Sequence, residues 1–97
     1  MRYAHDRAKG HVFRKPDPDK AAIMRFFDAS EYDAFAAGFI FDVVSGEETD
    51  IPLAAMDRDG FCWSNRDAYY FGKYDMELDP EFREYALAHA PEAWRTD

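Results

Sequence analysis

Cysteine is almost absent from the 97 residues: Cys62 stands alone. That excludes an internal disulfide and a cysteine-built zinc cluster, and it fits a reducing compartment. Long apolar runs are missing too. No stretch approaches the ~18 consecutive apolar residues that span a bilayer, and residues 1–6 offer no hydrophobic run able to direct export. The chain is therefore expected in the cytoplasm, without a membrane partner. There is no Gly-rich phosphate loop, no Walker lysine context and no G-x-S-x-G elbow. Aliphatic side chains are scarce: Leu, Ile and Val together number nine, against nine Phe, six Tyr, two Trp and fifteen Ala.

What is present must therefore build a core mainly from rings. A chain of this length buries only about 60 to 65% of its extended surface, so residues 1–97 are expected to form one domain around one core. Each ring buries about 150 to 250 Å², which lets few residues do the work. Seventeen rings exceed what such a core needs, so the surplus, mostly tyrosine, is expected at the surface, where a ring with a polar tip suits an interface.

Charge divides along the chain. Residues 1–20 carry six basic groups and three acidic ones; residues 21–97 carry six basic and seventeen acidic, a balance of −11. Residues 1–10 show no periodic pattern and read as a flexible basic arm or a short edge element. The acidic body repels nucleic-acid phosphates and attracts basic protein surfaces or cations, so direct nucleic-acid binding is not expected.

The fold expected is α+β: two N-terminal helical segments, a small antiparallel sheet of three or four strands, and one C-terminal helix. Residues 11–14 read as a brief strand. Asp17-Pro18 starts a helix over 18–28 whose apolar stripe is Ala22, Ile23, Phe26 and Phe27. Ser30, with Asp33 three residues on, offers a second cap. From there Tyr32, Phe35, Ala36, Phe39, Ile40, Val43 and Val44 keep helical spacing, while Phe39, Phe41 and Val43 also alternate. Two readings compete: a helix running to Val44, or a helix over 31–38 followed by a strand over 39–44. Gly38 favours the second.

Residues 51–56 and 61–63 read as a hairpin about the Asp57-Arg58-Asp59-Gly60 turn. Ser64-Asn65-Arg66-Asp67 reads as a second turn, before an aromatic strand over 68–74. Asp79-Pro80 opens a helix over 80–90 with Phe82, Tyr85, Ala86 and His89 on one stripe, and Trp94 lies beyond it.

Few constellations suggest chemistry. Asp57-x-Asp59-Gly60 fits a calcium loop only at its centre, since Ala55 and Arg66 would occupy its first and last ligand positions. His5, His11 and His89 make no pair at helical ligand spacing, so no metal and no cofactor is expected. Cys62, between Phe61 and Trp63, lacks the electropositive setting of a nucleophile. No catalytic residue is assigned, and enzyme activity is the less favoured reading.

The functional expectation is a small acidic protein-binding module, an inhibitor or immunity-type protein that occupies a basic surface of a nucleic-acid-acting protein. Its candidate contacts are Glu47, Glu48 and Asp50 on the loop after the second helical segment, then Asp57, Asp59 and Asp67 on the sheet turns, with Tyr69, Tyr70 and Tyr74 as the ring centre. The alternatives are a homodimeric structural or assembly component that uses an exposed aromatic surface, and a small enzyme with a carboxylate pair.

Overall fold

The computed structural model describes residues 2–4 and 15–91. Along the chain lie β1 (Arg2–Tyr3), α1 (Lys20–Asp28), β2 (Ala34–Asp42), β3 (Glu47–Arg58), β4 (Phe61–Ser64), α2 (Asn65–Tyr74) and α3 (Pro80–His89). The class is α+β. The sheet has the order β1-β4-β3-β2 and is mixed, because β1 runs parallel to β4 while the other pairs are antiparallel. An all-antiparallel sheet was expected; the short edge element offered for residues 1–10 is β1, and its parallel pairing is the departure. Of the expected basic arm only Arg2–Ala4 are described, and they are held. Arg2 grips the Asp79 carboxylate at 2.7 and 2.9 Å, and the Asp79 N–H donates to the Ala4 carbonyl at 2.7 Å. The strand expected over 11–14 and Trp94 lie outside the described residues.

Rings make the core, as the shortage of aliphatics requires. Ile23, Phe26 and Phe27 on α1 are buried, three and four residues apart. They meet Trp63 of β4, Tyr70 and Phe71 of α2, and Phe82 and Ala86 of α3. Phe82 is fully buried, with its ring centroid 5.5 Å from Trp63, 5.8 Å from Phe26, 5.9 Å from Phe61 and 6.0 Å from Phe27. The Trp63 indole N–H finds Ser30 Oγ at 3.0 Å, so its one polar atom is satisfied inside the core.

Three local readings are corrected. The helix expected from Pro18 begins at Lys20, and Asp17 is not its cap. Asp19 holds the N-cap position; the Asp17 carboxylate accepts the Asp19 N–H at 2.8 Å just ahead of the helix and also binds the Arg83 guanidinium of α3 at 2.6 and 2.8 Å, which joins the first helix to the last. The second N-terminal helix is absent: residues 34–42 are a strand, and Ser30 Oγ donates back to the Phe26 carbonyl instead of capping a new helix. The helical spacing arose because both faces of this strand carry apolar residues. Gly38, at φ +99°, takes a left-handed conformation that a helix would not supply.

The strand expected over 68–74 is α2. Ser64 and Asp67 form a capping box: Ser64 Oγ accepts the Asp67 N–H at 3.4 Å, and the Asp67 carboxylate accepts the Ser64 N–H at 2.9 Å. What read as a turn is thus a helix start, with Asp67, Tyr70 and Phe71 turned inward.

Elsewhere the reading holds. β3 and β4 form the expected hairpin through Asp59 and Gly60, both at positive φ, the conformation that two-residue hairpin turns require. The last helix starts as foreseen, with Pro80 in its first turn and the Asp79 carboxylate accepting the Phe82 N–H at 3.0 Å.

Phe82→Ala is expected to destabilise by about 3 to 5 kcal/mol in urea titration, whereas Glu84→Ala on the exposed side of the same helix should stay within about 0.5 kcal/mol. Equal effects would show that α3 does not dock through Phe82.

Candidate functional site

β3 is longer than its partner on one side. Only residues 55–58 pair with β4, so residues 47–54 have β2 as their strand neighbour, and the two form a hairpin projecting past the rest of the sheet. Its turn is built on Asp42. The Asp42 Oδ1 accepts the N–H groups of Val44 and Ser45, both at 2.9 Å, and its carbonyl accepts the Gly46 N–H at 2.8 Å. Gly46, at φ +77°, closes the reversal.

The same carboxylate is buried, at 1% exposure, against α2. Tyr69 and Tyr74 each donate their hydroxyl to Asp42 Oδ2, at 2.5 and 2.6 Å. Lys73 donates to the Tyr69 oxygen at 3.2 Å, lies 3.5 Å from the carboxylate, and sits 5.4 and 5.5 Å from the two tyrosine ring centres. Tyr70, equally buried, accepts the Val43 N–H at 3.0 Å and donates to the Phe41 carbonyl at 2.9 Å. One face of α2 thus grips the hairpin at three consecutive residues, 41 to 43.

Burial pushes the Asp42 carboxyl up, but the hydrogen bonds from Tyr69, Tyr74, Ser45 and Val44 together outweigh it, and its pKa falls well below the ordinary aspartate range. The bond to Asp42 raises both Tyr69 and Tyr74, while the bond to Tyr69 pushes Lys73 up to about 12. At neutral pH the carboxylate is ionised and every donor around it keeps its proton. General acid–base work needs a pKa near the working pH, and this cluster moves each group away from it. Its chemistry is that of an anchor.

The anchored hairpin turns Ile40 and Asp42 inward and leaves its other face open. Phe39, Phe41, Val43 and Val44 are about half exposed, and Phe35 reaches 74%. Across the ladder Phe39 lies opposite Pro52 and Phe41 opposite Glu48, so each pair projects on one face. A shallow groove of about 380 Å³ runs beside Phe35, between Ala34, Ala36, Leu53 and Ala55.

The expected contacts are distributed differently from the reading. Glu47, Glu48 and Asp50 are brought together and exposed, on β3 instead of a loop. Asp57 and Asp59 are exposed near the other end of β3, roughly 25 to 30 Å away at the rise of a strand. Asp59 also accepts the Tyr85 hydroxyl at 2.7 Å. Asp67 is buried in its capping box, so it is no surface contact. Tyr70 is buried, and Tyr69 and Tyr74 spend their hydroxyls on Asp42, so these three are not the ring centre of an open surface.

The reading missed Asp42, Lys73 and the phenylalanine row. One signal was available: Asp42 is the sole charged residue within 34–46, placed just ahead of a Ser-Gly turn. Among the described residues no group of three or more His, Cys, Asp or Glu could hold a metal ion, and no helix is long and apolar enough to cross a membrane.

The anchor sets a pH window. A depressed carboxylate stabilises the fold fully above its unfolded pKa of about 3.9 and loses that contribution as pH falls through the folded value. Raised tyrosines stabilise it below about 10 and lose their contribution as pH rises through theirs. The thermal midpoint of Asp42→Asn should therefore lie furthest below wild type between about pH 5 and 9, with the gap narrowing on both sides. A gap that ignores pH would show that the carboxylate is not the ionised acceptor.

Compared with known proteins, the chain matches no family model, no curated protein and no solved structure.

Proposed function

We propose that the protein is a binding module that docks its β2–β3 hairpin onto a basic protein surface. One conjunction supports this. Among the described residues the exposed large hydrophobics, Tyr3 apart, gather on this hairpin, within a run, residues 34–57, that contains five acids and no Lys, Arg or His. Exposed rings rimmed by charge of one sign mark an interaction surface, and the sign selects a basic partner. A basic surface shaped for nucleic acid is one such target, and covering it would inhibit its owner.

The enzyme alternative finds little support among the described clefts. The one between α1 and α3, about 370 Å³ and lined by Ser30, Arg58, Trp63 and His89, holds a single carboxylate, Glu31. Another, of about 300 Å³, includes Asp17, Asp75 and Glu77, of which Arg83 and Lys20 hold the first two at 2.6 Å each. The homodimer alternative would use the same rings, against the mutual repulsion of two chains of net charge −8.

A pull-down from the source cell at low and high salt identifies the partner, and binding kinetics then test the surface. Replacing Glu47, Glu48 and Asp50 by Lys should slow association about tenfold or more at low salt and flatten its salt dependence. Phe39→Ser with Phe41→Ser should speed dissociation instead. A partner indifferent to both sets, or self-association that depends on the rings alone, would overturn the reading.

A further inference from the structure

The mode of docking can be read one step further. Resting on the hairpin as the binding surface, we infer that the outer edge of β2 accepts a basic, extended segment of the partner as an added strand. Among the described residues β2 ends the sheet, with β3 as its strand neighbour. Its nine residues span about 30 Å; Tyr70 of α2 takes the Phe41 carbonyl and the Val43 N–H at the far end, and the residues before Phe41 offer the row of backbone donors and acceptors.

Proteins usually protect such an edge with charge, proline, bulges, extreme shortness or cover, and of these β2 has two register shifts and the Tyr70 contact at its end. Residues 34–41 contain neither charge nor proline, and residues 34–39 are all exposed. The opposite edge of the sheet is by contrast only two residues long. The register shifts near Gly38 divide β2 without closing it, leaving Phe39, Ile40 and Phe41 as the stretch beside the acids.

Charge complementarity names the occupant. A strand laid against this stretch presents alternate side chains to the outer face, where Phe41 pairs with Glu48 and Asp50 lies two residues further along β3. Lys or Arg at those alternate positions would cover the rings and reach the carboxylates, combining cation–π contact with charge-assisted hydrogen bonds. A second copy of β2 carries no base to offer, and its chain brings a net charge of −8. Backbone pairing supplies the affinity and the alternating cations the choice of segment, which is how strand addition works in general.

The probe is a capped ten-residue peptide of alternating lysine and valine, compared with the same peptide N-methylated on all its backbone amides. Methylation keeps every charge and side chain and removes every strand donor. With the full chain, the plain peptide should bind, slow hydrogen exchange at β2 amides at least tenfold, and lose at least tenfold in affinity on methylation and on Glu48→Gln or Phe41→Ser. Equal binding of both peptides, with β2 exchange unchanged but affinity still lowered by the two variants, overturns strand addition and leaves the hairpin face standing. Absence of binding, or binding that ignores both variants, overturns the strand and the hairpin reading together. Protection of β2 that grows with protein concentration in the absence of peptide gives the edge to a second copy and overturns the basic segment.

Discussion

Three rings from three elements meet at the centre: Phe26 of α1, Trp63 of β4 and Phe82 of α3, with centroids 5.1 to 5.8 Å apart. A chain with nine Leu, Ile and Val residues has little else to fill its interior, and a ring that loses one neighbour leaves a larger void than an aliphatic side chain would. The charged contacts around the triad keep its elements in place. Arg83 reaches from α3 to Asp17 ahead of α1, and Arg2 reaches from β1 to Asp79 ahead of α3. The Arg2 side chain is 47% exposed, so its ion pair fixes geometry more than it adds stability.

The ring core covers only part of the sheet, and this creates the need for Asp42. Where β3 outruns β4, no second strand among the described residues supports the hairpin, and α2 holds it from one side. Apolar contact through Ile40 alone would let the hairpin slide. The buried carboxylate, fully bonded to two hydroxyls and two backbone N–H groups, fixes its position. A buried charge is tolerable only with every lone pair engaged, and the Asp42 set meets that condition with help from partly exposed Lys73.

Legibility followed local chemistry. The Asp79-Pro80 start, the Asp59-Gly60 turn and the Ile23, Phe26, Phe27 stripe each carry their cause within a few residues, and each was readable. Ser64-x-x-Asp67 carries its cause just as locally, but a capping box with Asp in place of Glu reads equally as a turn. The helix expected over 31–38 failed for a different reason, while the strand favoured from Phe39 onward is the second half of β2. Periodicity assumes that apolar residues mark the buried face, and here one apolar face is open. Acid clusters could be placed along the chain but not in space: Glu47, Glu48 and Asp50 are neighbours on one strand, whereas Asp67 became an internal cap. The tyrosines of 69–74 were rightly seen as polar-tipped rings, yet their hydroxyls turn inward because α2 is a helix and Asp42 lies beneath it.

The open phenylalanines and the misread helix are thus one fact. A strand that had to satisfy only its own fold would place polar residues at 35, 39 and 41, where nothing in the described core covers them, and its alternation would then have been plain in the sequence. Rings there cost solubility and invite edge pairing, while the surrounding acids offset the first and select against partners of like charge. Rigid presentation by Asp42 lowers the ordering cost of any contact made by the hairpin. Acids that would govern approach, rings that would govern residence and an anchor that removes freedom beforehand converge on one element of the fold, and the proposed binding face rests on that convergence.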